Sequence, residues 1–251
     1  MFKKIQSHLR VWTMAFLYPR PFIGFFYLPK YFFSLMNYRK LSPINNIRFS
    51  DLQPCLGDWT ISTPFDPHYF YQGAWAARKL KLRSPEKHVD IASSVLMISV
   101  LSGFIDTTFV DYRPLKANLK GLSSIPGDIL ALPFSDGSIN SLSCLHVIEH
   151  IGLGRYGDSL DPMGSIKGAL ELQRVLEKGG NLLLSLPIGR ERICFNAHRV
   201  HSPSSVLRLF ASLQLVDFSF VDDAGQFHEN AQLNQAQSLD YGCGLFHFQK
   251  P

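Results

Sequence analysis

The chain has 251 residues, 46% hydrophobic and 18% charged: enough to bury a core without covalent staples, and too apolar for a disordered chain. Four cysteines (Cys55, Cys144, Cys194, Cys243) stand far apart with no C-x-x-C, which excludes a disulfide framework and a thiolate zinc motif; a reducing compartment is expected and no metal is assigned. The net charge of +5 is unevenly placed, since residues 1–50 hold eight Lys or Arg and no acid, leaving 17 basic against 20 acidic residues elsewhere.

That first segment also carries 13 of the 32 aromatic residues, densest at Phe22, Phe25, Phe26, Tyr27, Phe32 and Phe33. Rings beside spaced cations suit an anionic membrane surface, where aromatics sit at headgroup depth. The alternative is packing on the body of the protein or on a second subunit. Pro21 and Pro29 interrupt the regular strand that an RNA-binding aromatic face requires, which argues against nucleic acid. Arg10 and Arg20 break the N-terminal apolar stretches, so no cleavable signal is expected, and the longest uncharged run in the hydrophobic middle, residues 91–105, is too short to span a membrane. The expected location is cytoplasmic, peripheral on the inner face of the membrane.

Turn formers fill residues 41–67, an irregular connection. Residues 69–82 have helical spacing and stop at Arg83-Ser84-Pro85. From His88 strands and helices alternate: strand 88–92, helix 94–103, strand 107–111, a short third strand 127–130, and a continuously apolar strand 139–148. An amphipathic helix over 166–177 is stopped by Gly179-Gly180, and strand 181–186 is closed by Pro187. Helix 205–210 and strands 215–221 and 244–248 complete the pattern. Such alternation predicts an α/β domain with a doubly wound, mostly parallel sheet, binding its ligand at the carboxyl ends of the strands. The expected division is 1–84, a basic, aromatic-rich extension and cap, and 85–251, the α/β domain.

Asp90 and Asp111 each end a hydrophobic strand, 21 residues apart. A carboxylate at the second strand is what a nucleoside site needs to accept ribose hydroxyls. The turn after the first strand, Ile91-Ala92-Ser93-Ser94, lacks the usual glycine. Two other patterns mislead. Gly152-Leu153-Gly154-Arg155-Tyr156-Gly157 matches a dinucleotide loop, but no helix follows it. His146-Val147-Ile148-Glu149-His150 matches H-x-x-E-H, yet it continues a buried strand, whereas zinc hydrolysis needs a helix. His198 lies past the fifth strand, where a neutral imidazole could take a proton from a sugar hydroxyl.

Together, the acid-ended strand, Gly127-Asp128 with Leu132-Pro133-Phe134, Val147-Ile148-Glu149-His150, and Glu171 through Arg174-Val175-Leu176 to Gly179-Gly180 closely resemble the class I S-adenosylmethionine-dependent methyltransferases, over about residues 86–250. Residues 150–158, 195–199 and 241–244 look like a methyltransferase-like group associated with bacterial surface-polysaccharide biosynthesis. The resemblance implies a Rossmann-like fold, S-adenosylmethionine as cofactor, and methyl transfer to an oxygen or nitrogen acceptor on a small molecule or sugar. It places Asp90, Ala92 and Ser93 in the turn under the methionine part, Asp111 on the ribose, Asp128 and Ile129 about the adenine, and Leu145 and His146 on the cofactor's other side. Glu149, His150 and His198 are the residues expected to bind the acceptor or remove its proton. Ala92 and Ser93 stand where the family usually has glycine, so weak cofactor binding is expected; the rival reading is a non-catalytic scaffold of the same fold at the membrane surface.

Overall fold

The computed structural model describes residues 23–41 and 47–251, and the chain divides into two compact units, Met1–Phe65 and Asp66–Pro251. In the first unit, helix α1 (Ile23–Leu41) contains Pro29 and ends in Arg39 and Lys40, cations that favour a helix C-terminus. Lys30 Nζ lies 4.2 Å from the centroid of the Trp59 ring, which meets Tyr27 edge-on. Phe26, Phe33 and Met36 are exposed. The membrane expectation covers residues 1–50, of which 1–22 and 42–46 lie outside the described residues. No helix among the described residues is long and apolar enough to cross a membrane.

The second unit opens with helix α2 (Pro67–Arg83). Asp66 caps it, accepting the His68 and Tyr69 N–H groups at 2.9 and 3.3 Å, with proline at the first helical position and Ser84 left-handed at the other end. The strands and helices that follow are β1 (Lys87–Ile91), α3 (Val95–Leu101), β2 (Asp106–Asp111), β3 (Leu122–Pro126), β4 (Ile139–Leu145), α4 (Gly164–Val175), β5 (Leu176–Ile188), β6 (Arg192–Cys194), β7 (His198–Val200), α5 (Pro203–Leu209), β8 (Gln214–Val221), β9 (Phe227–His228) and β10 (Gly242–Gln249). Eight strands form one sheet in the order β3-β2-β1-β4-β5-β10-β8-β9, parallel from β3 to β5 and antiparallel through β10 and β9. β6 and β7 make a separate hairpin.

Each face of the sheet buries its own cluster, as expected for strands covered on both sides. On one, Ala169, Leu172 and Val175 of α4 and Val206 of α5 pack with Leu142, Leu184 and Phe246. On the other, Trp75, Ala76 and Leu80 of α2 meet Ile98 and Leu101 of α3 over Phe109, Leu145 and Leu245. This is the expected doubly wound architecture. The boundary expected at 84/85 shifts to 65/66, because α2 buries one stripe in the sheet's own core.

The third strand lies at Leu122–Pro126 rather than 127–130. Leu122 to Pro126 pair in register with Thr107 to Asp111, while Asp128 starts a turn whose carbonyl accepts the Ala131 N–H. A Cβ on Gly127 would lie 2.4 Å from a Val110 methyl. The fourth strand ends at Leu145, not at residue 148, because His146 turns to φ +55° and Ile148–His150 form a 3-10 turn. β5 begins at Leu176, where the helix was expected to continue, since Leu176 already pairs with Ile139.

Candidate functional site

The turn after β1 is stapled from beneath. Asp90 is fully buried; its Oδ1 accepts the Ser93 N–H at 3.0 Å, and its Oδ2 accepts the hydroxyls of Ser93, at 2.7 Å, and Ser143. Ser93 Oγ in turn accepts the Leu145 N–H, tying the turn to the end of β4. Because Ser143 gives its proton to Asp90, it accepts from His88 Nε2 at 2.8 Å, which leaves His88 Nδ1 to accept from Ser141, also at 2.8 Å. Burial pushes Asp90 up to about 6 against the pull of its hydroxyl and N–H donors, and burial pushes His88 down to about 4. Ala92 above this staple sits at φ +51°, the left-handed conformation glycine would take without strain.

A cavity of about 480 Å³ opens at the carboxyl ends of β1 to β4. It brings together Ala92, Ser93, Asp111, Asp128, Ile129, His146 and His150 from the sequence-derived set. Asp111 Oδ1 accepts the Arg113 N–H at 2.7 Å, while its other oxygen has no hydrogen-bond partner among the described residues. Asp128 Oδ1 accepts the Leu130 N–H at 2.9 Å, and Ile129 gives a buried apolar wall. Two expected residues point elsewhere. Asp90 spends its carboxylate beneath the turn, and Leu145 packs into the cluster around Trp75 and Phe109. Tyr112 and Arg113 also line the cavity and were not singled out in the sequence, although they directly follow the acid that ends β2; Tyr156, from the glycine-rich loop after β4, lines it too.

Glu149 is fully buried behind two histidines that reach the cavity. Its Oε1 lies 2.8 Å from His146 Nδ1 and 3.6 Å from His150 Nε2, and its Oε2 has no hydrogen-bond partner among the described residues. Burial opposes its charge, but the two histidines hold the carboxylate below its ordinary range. His150 Nδ1 donates to the Ala197 carbonyl at 2.6 Å, and burial lowers its pKa. His198, on β7, is half-buried outside the cavity wall, its ring 6.5 Å from that of His150 and 5.3 Å from that of Tyr241. His146 stacks with His68 of α2 and faces Cys243 of β10 through its Nε2.

The glycine-rich loop after β4 is closed by its own acid. Asp158 Oδ2 accepts the Gly152 and Gly154 N–H groups, at 2.7 and 3.3 Å, and Oδ1 accepts that of Tyr156. The amides that would cradle a phosphate in a dinucleotide site are therefore taken. Buried Arg199 of β7 clamps the same loop, donating to the Ile151 carbonyl at 2.6 Å and to the Asp161 carbonyl at 3.3 Å.

Strand order, parallel core and edge cavity make this the Rossmann-like fold of class I methyltransferases. The N-methyltransferase NodS from Bradyrhizobium japonicum, solved in complex with S-adenosyl-L-homocysteine, is similar with a TM-score of 0.51 at 16% identity, over 74% of this chain and 89% of that one. A putative sarcosine dimethylglycine methyltransferase from Galdieria sulphuraria gives 0.51 at 13% identity, over 72% and 86%. YcgJ from Bacillus subtilis gives 0.50 at 15%, over 72% and 98%. At these identities the likeness is one of fold. A family described as a Caenorhabditis protein of unknown function, DUF268, matches residues 134–241. No curated protein sequence matches the chain.

Proposed function

We propose that the chain transfers a methyl group from S-adenosylmethionine to an oxygen or nitrogen nucleophile. The observation that carries this reading is the cavity at the ends of β1 to β4, into which Asp111 brings a carboxylate oxygen that no donor among the described residues occupies. Its volume suits a nucleoside with a short chain. A ribose would be held by Asp111, and the adenine would lie between Asp128 and the apolar Ile129. Ala92 and Ser93 would flank the aminocarboxypropyl end. When bound, S-adenosylmethionine supplies an electrophilic methyl group on a good leaving group.

The protein's own share is alignment and proton removal. The Ala197 carbonyl fixes the His150 proton on Nδ1, so Nε2 keeps its lone pair; burial keeps the imidazole neutral at pH 7. A proton gained at Nε2 would be stabilised by the buried Glu149 carboxylate 3.6 Å away. Glu149 thus acts through His150 and His146, and His198 stands one ring further out. That the acceptor is a sugar hydroxyl, and that the protein works at the inner membrane surface, is supported by the sequence resemblance and the N-terminal cations.

Calorimetry with S-adenosylhomocysteine tests the reading. One equivalent is expected to bind, with affinity lost in a folded Asp111→Ala variant. A wild type that binds none would overturn methyl transfer and leave the fold as a non-catalytic scaffold.

A further inference from the structure

We infer that His68, His146 and Cys243 form a binding site for a divalent transition metal of the zinc type, beside the cavity that His146 lines. The site stands independently of methyl transfer. Its three side chains come from the first turn of α2, the turn after β4, and β10, and their donor atoms all lie within 4.8 Å of one another. His146 Nε2 is 3.3 Å from Cys243 Sγ. Zinc–sulfur and zinc–nitrogen bonds of about 2.3 and 2.0–2.1 Å set tetrahedral ligands roughly 3.5 Å apart. That pair is therefore already at ligand spacing, and half-buried His68 has only to close by about an ångström.

Three further features point the same way. The fully buried Glu149 sits on His146 Nδ1 at 2.8 Å, fixing the proton there and turning the Nε2 lone pair towards the thiol. A carboxylate behind a ligating histidine is the usual outer support of a metal centre. His146 also holds φ +55°, an uncommon conformation for a non-glycine residue, and it is this turn that delivers the ring to Cys243. The ring nitrogens of His68 have no hydrogen-bond partner among the described residues, although the ring is packed against His146 and Tyr241. Two imidazoles and a thiolate favour zinc over magnesium or calcium, and three protein ligands leave a fourth position open. Binding would release the thiol proton and set the metal's charge against the thiolate and Glu149.

The test uses the untagged full chain, reduced and stripped with chelator, titrated with Co²⁺ and then Zn²⁺. One equivalent of Co²⁺ should give thiolate-to-cobalt charge-transfer absorption with the visible bands of a tetrahedral site, and Zn²⁺ should bleach both. His68→Ala and Cys243→Ser should each abolish the spectrum, and Glu149→Gln should weaken affinity 10- to 100-fold. The control Cys55→Ser/Cys194→Ser should change nothing. His68 is half-buried, so its variant is expected to fold, which circular dichroism checks. No uptake by the wild type, or an undiminished charge-transfer band in folded His68→Ala or Cys243→Ser, overturns the site. Titrating S-adenosylhomocysteine into the metal-free protein reads the cofactor cavity separately.

Discussion

Ala92 carries a methyl group where the backbone bends left-handed over the Asp90 staple, and it lines the cavity wall. Ala92→Gly should tighten S-adenosylhomocysteine binding by freeing space at the aminocarboxypropyl end, while the melting temperature shifts little. Relieved strain of about 1–2 kcal/mol is offset by the greater freedom of glycine in the unfolded chain. Affinity that stays the same or falls in calorimetry counts against the crowding. Asp111→Ala should cost about 1.5–3 kcal/mol of the same affinity, the scale of a hydrogen bond to a charged group. The buried pair His88 and Asp90 predicts a pH effect. A histidine depressed from 6.5 to about 4 stabilises the fold fully above 6.5, and that stability is lost as pH falls towards 4. An aspartate raised from 3.8 to about 6 does the opposite: its contribution is full below 3.8 and lost as pH rises through 6. Each is worth about 3 kcal/mol, so in the wild type they largely cancel between pH 7 and 4. Asp90→Asn removes one side. Its denaturant midpoint should fall further than that of the wild type between pH 7 and pH 4.5, and parallel curves would refute the opposition.

Among the elements, α2 does two jobs: it seals one face of the sheet and delivers His68 and Tyr69 to His146. Its anchor is Trp75, 1% exposed, whose indole N–H has no hydrogen-bond partner among the described residues. Trp75→Ala should destabilise by about 3–5 kcal/mol through the cavity it leaves. Trp75→Phe should cost less than about 1.5 kcal/mol, because it keeps most of the volume and deletes an unsatisfied donor. Urea denaturation of both variants separates lost packing from lost hydrogen bonding. The loop after β4 depends likewise on an element far away in sequence, since Arg199 of β7 holds it at Ile151 and Asp161.

For the molecule as a whole, the uneven charge sets the prediction. Eight cations without an acid in residues 1–50 should draw the full chain to anionic vesicles. Each contributes about 1 kcal/mol near such a surface, falling off within a Debye length. Co-sedimentation should therefore weaken sharply between low and physiological salt, leaving a remainder due to inserted rings such as Phe26 and Phe33. Equal binding to neutral and anionic vesicles, or none to either, would remove the membrane reading.

Periodicity and turn chemistry, which are local, sufficed for the alternating strands and helices, for the acid that ends β2, and for discarding two misleading motifs. Strand 107–111 and helix 69–82 lie within two residues of β2 and α2 because their apolar spacing and stop signals are encoded within each element. The third strand was misplaced because β3 alternates weakly and is defined by pairing with β2. The β6–β7 hairpin is too short to show a period. The resemblance pointed to seven of the residues that line the cavity, but only the tertiary structure showed that Asp90 is spent beneath the turn and that Leu145 faces the opposite core. Only tertiary structure, too, sets His68, His146 and Cys243 together, since residues 175 positions apart in sequence meet solely through the packing of α2 and β10 on one sheet.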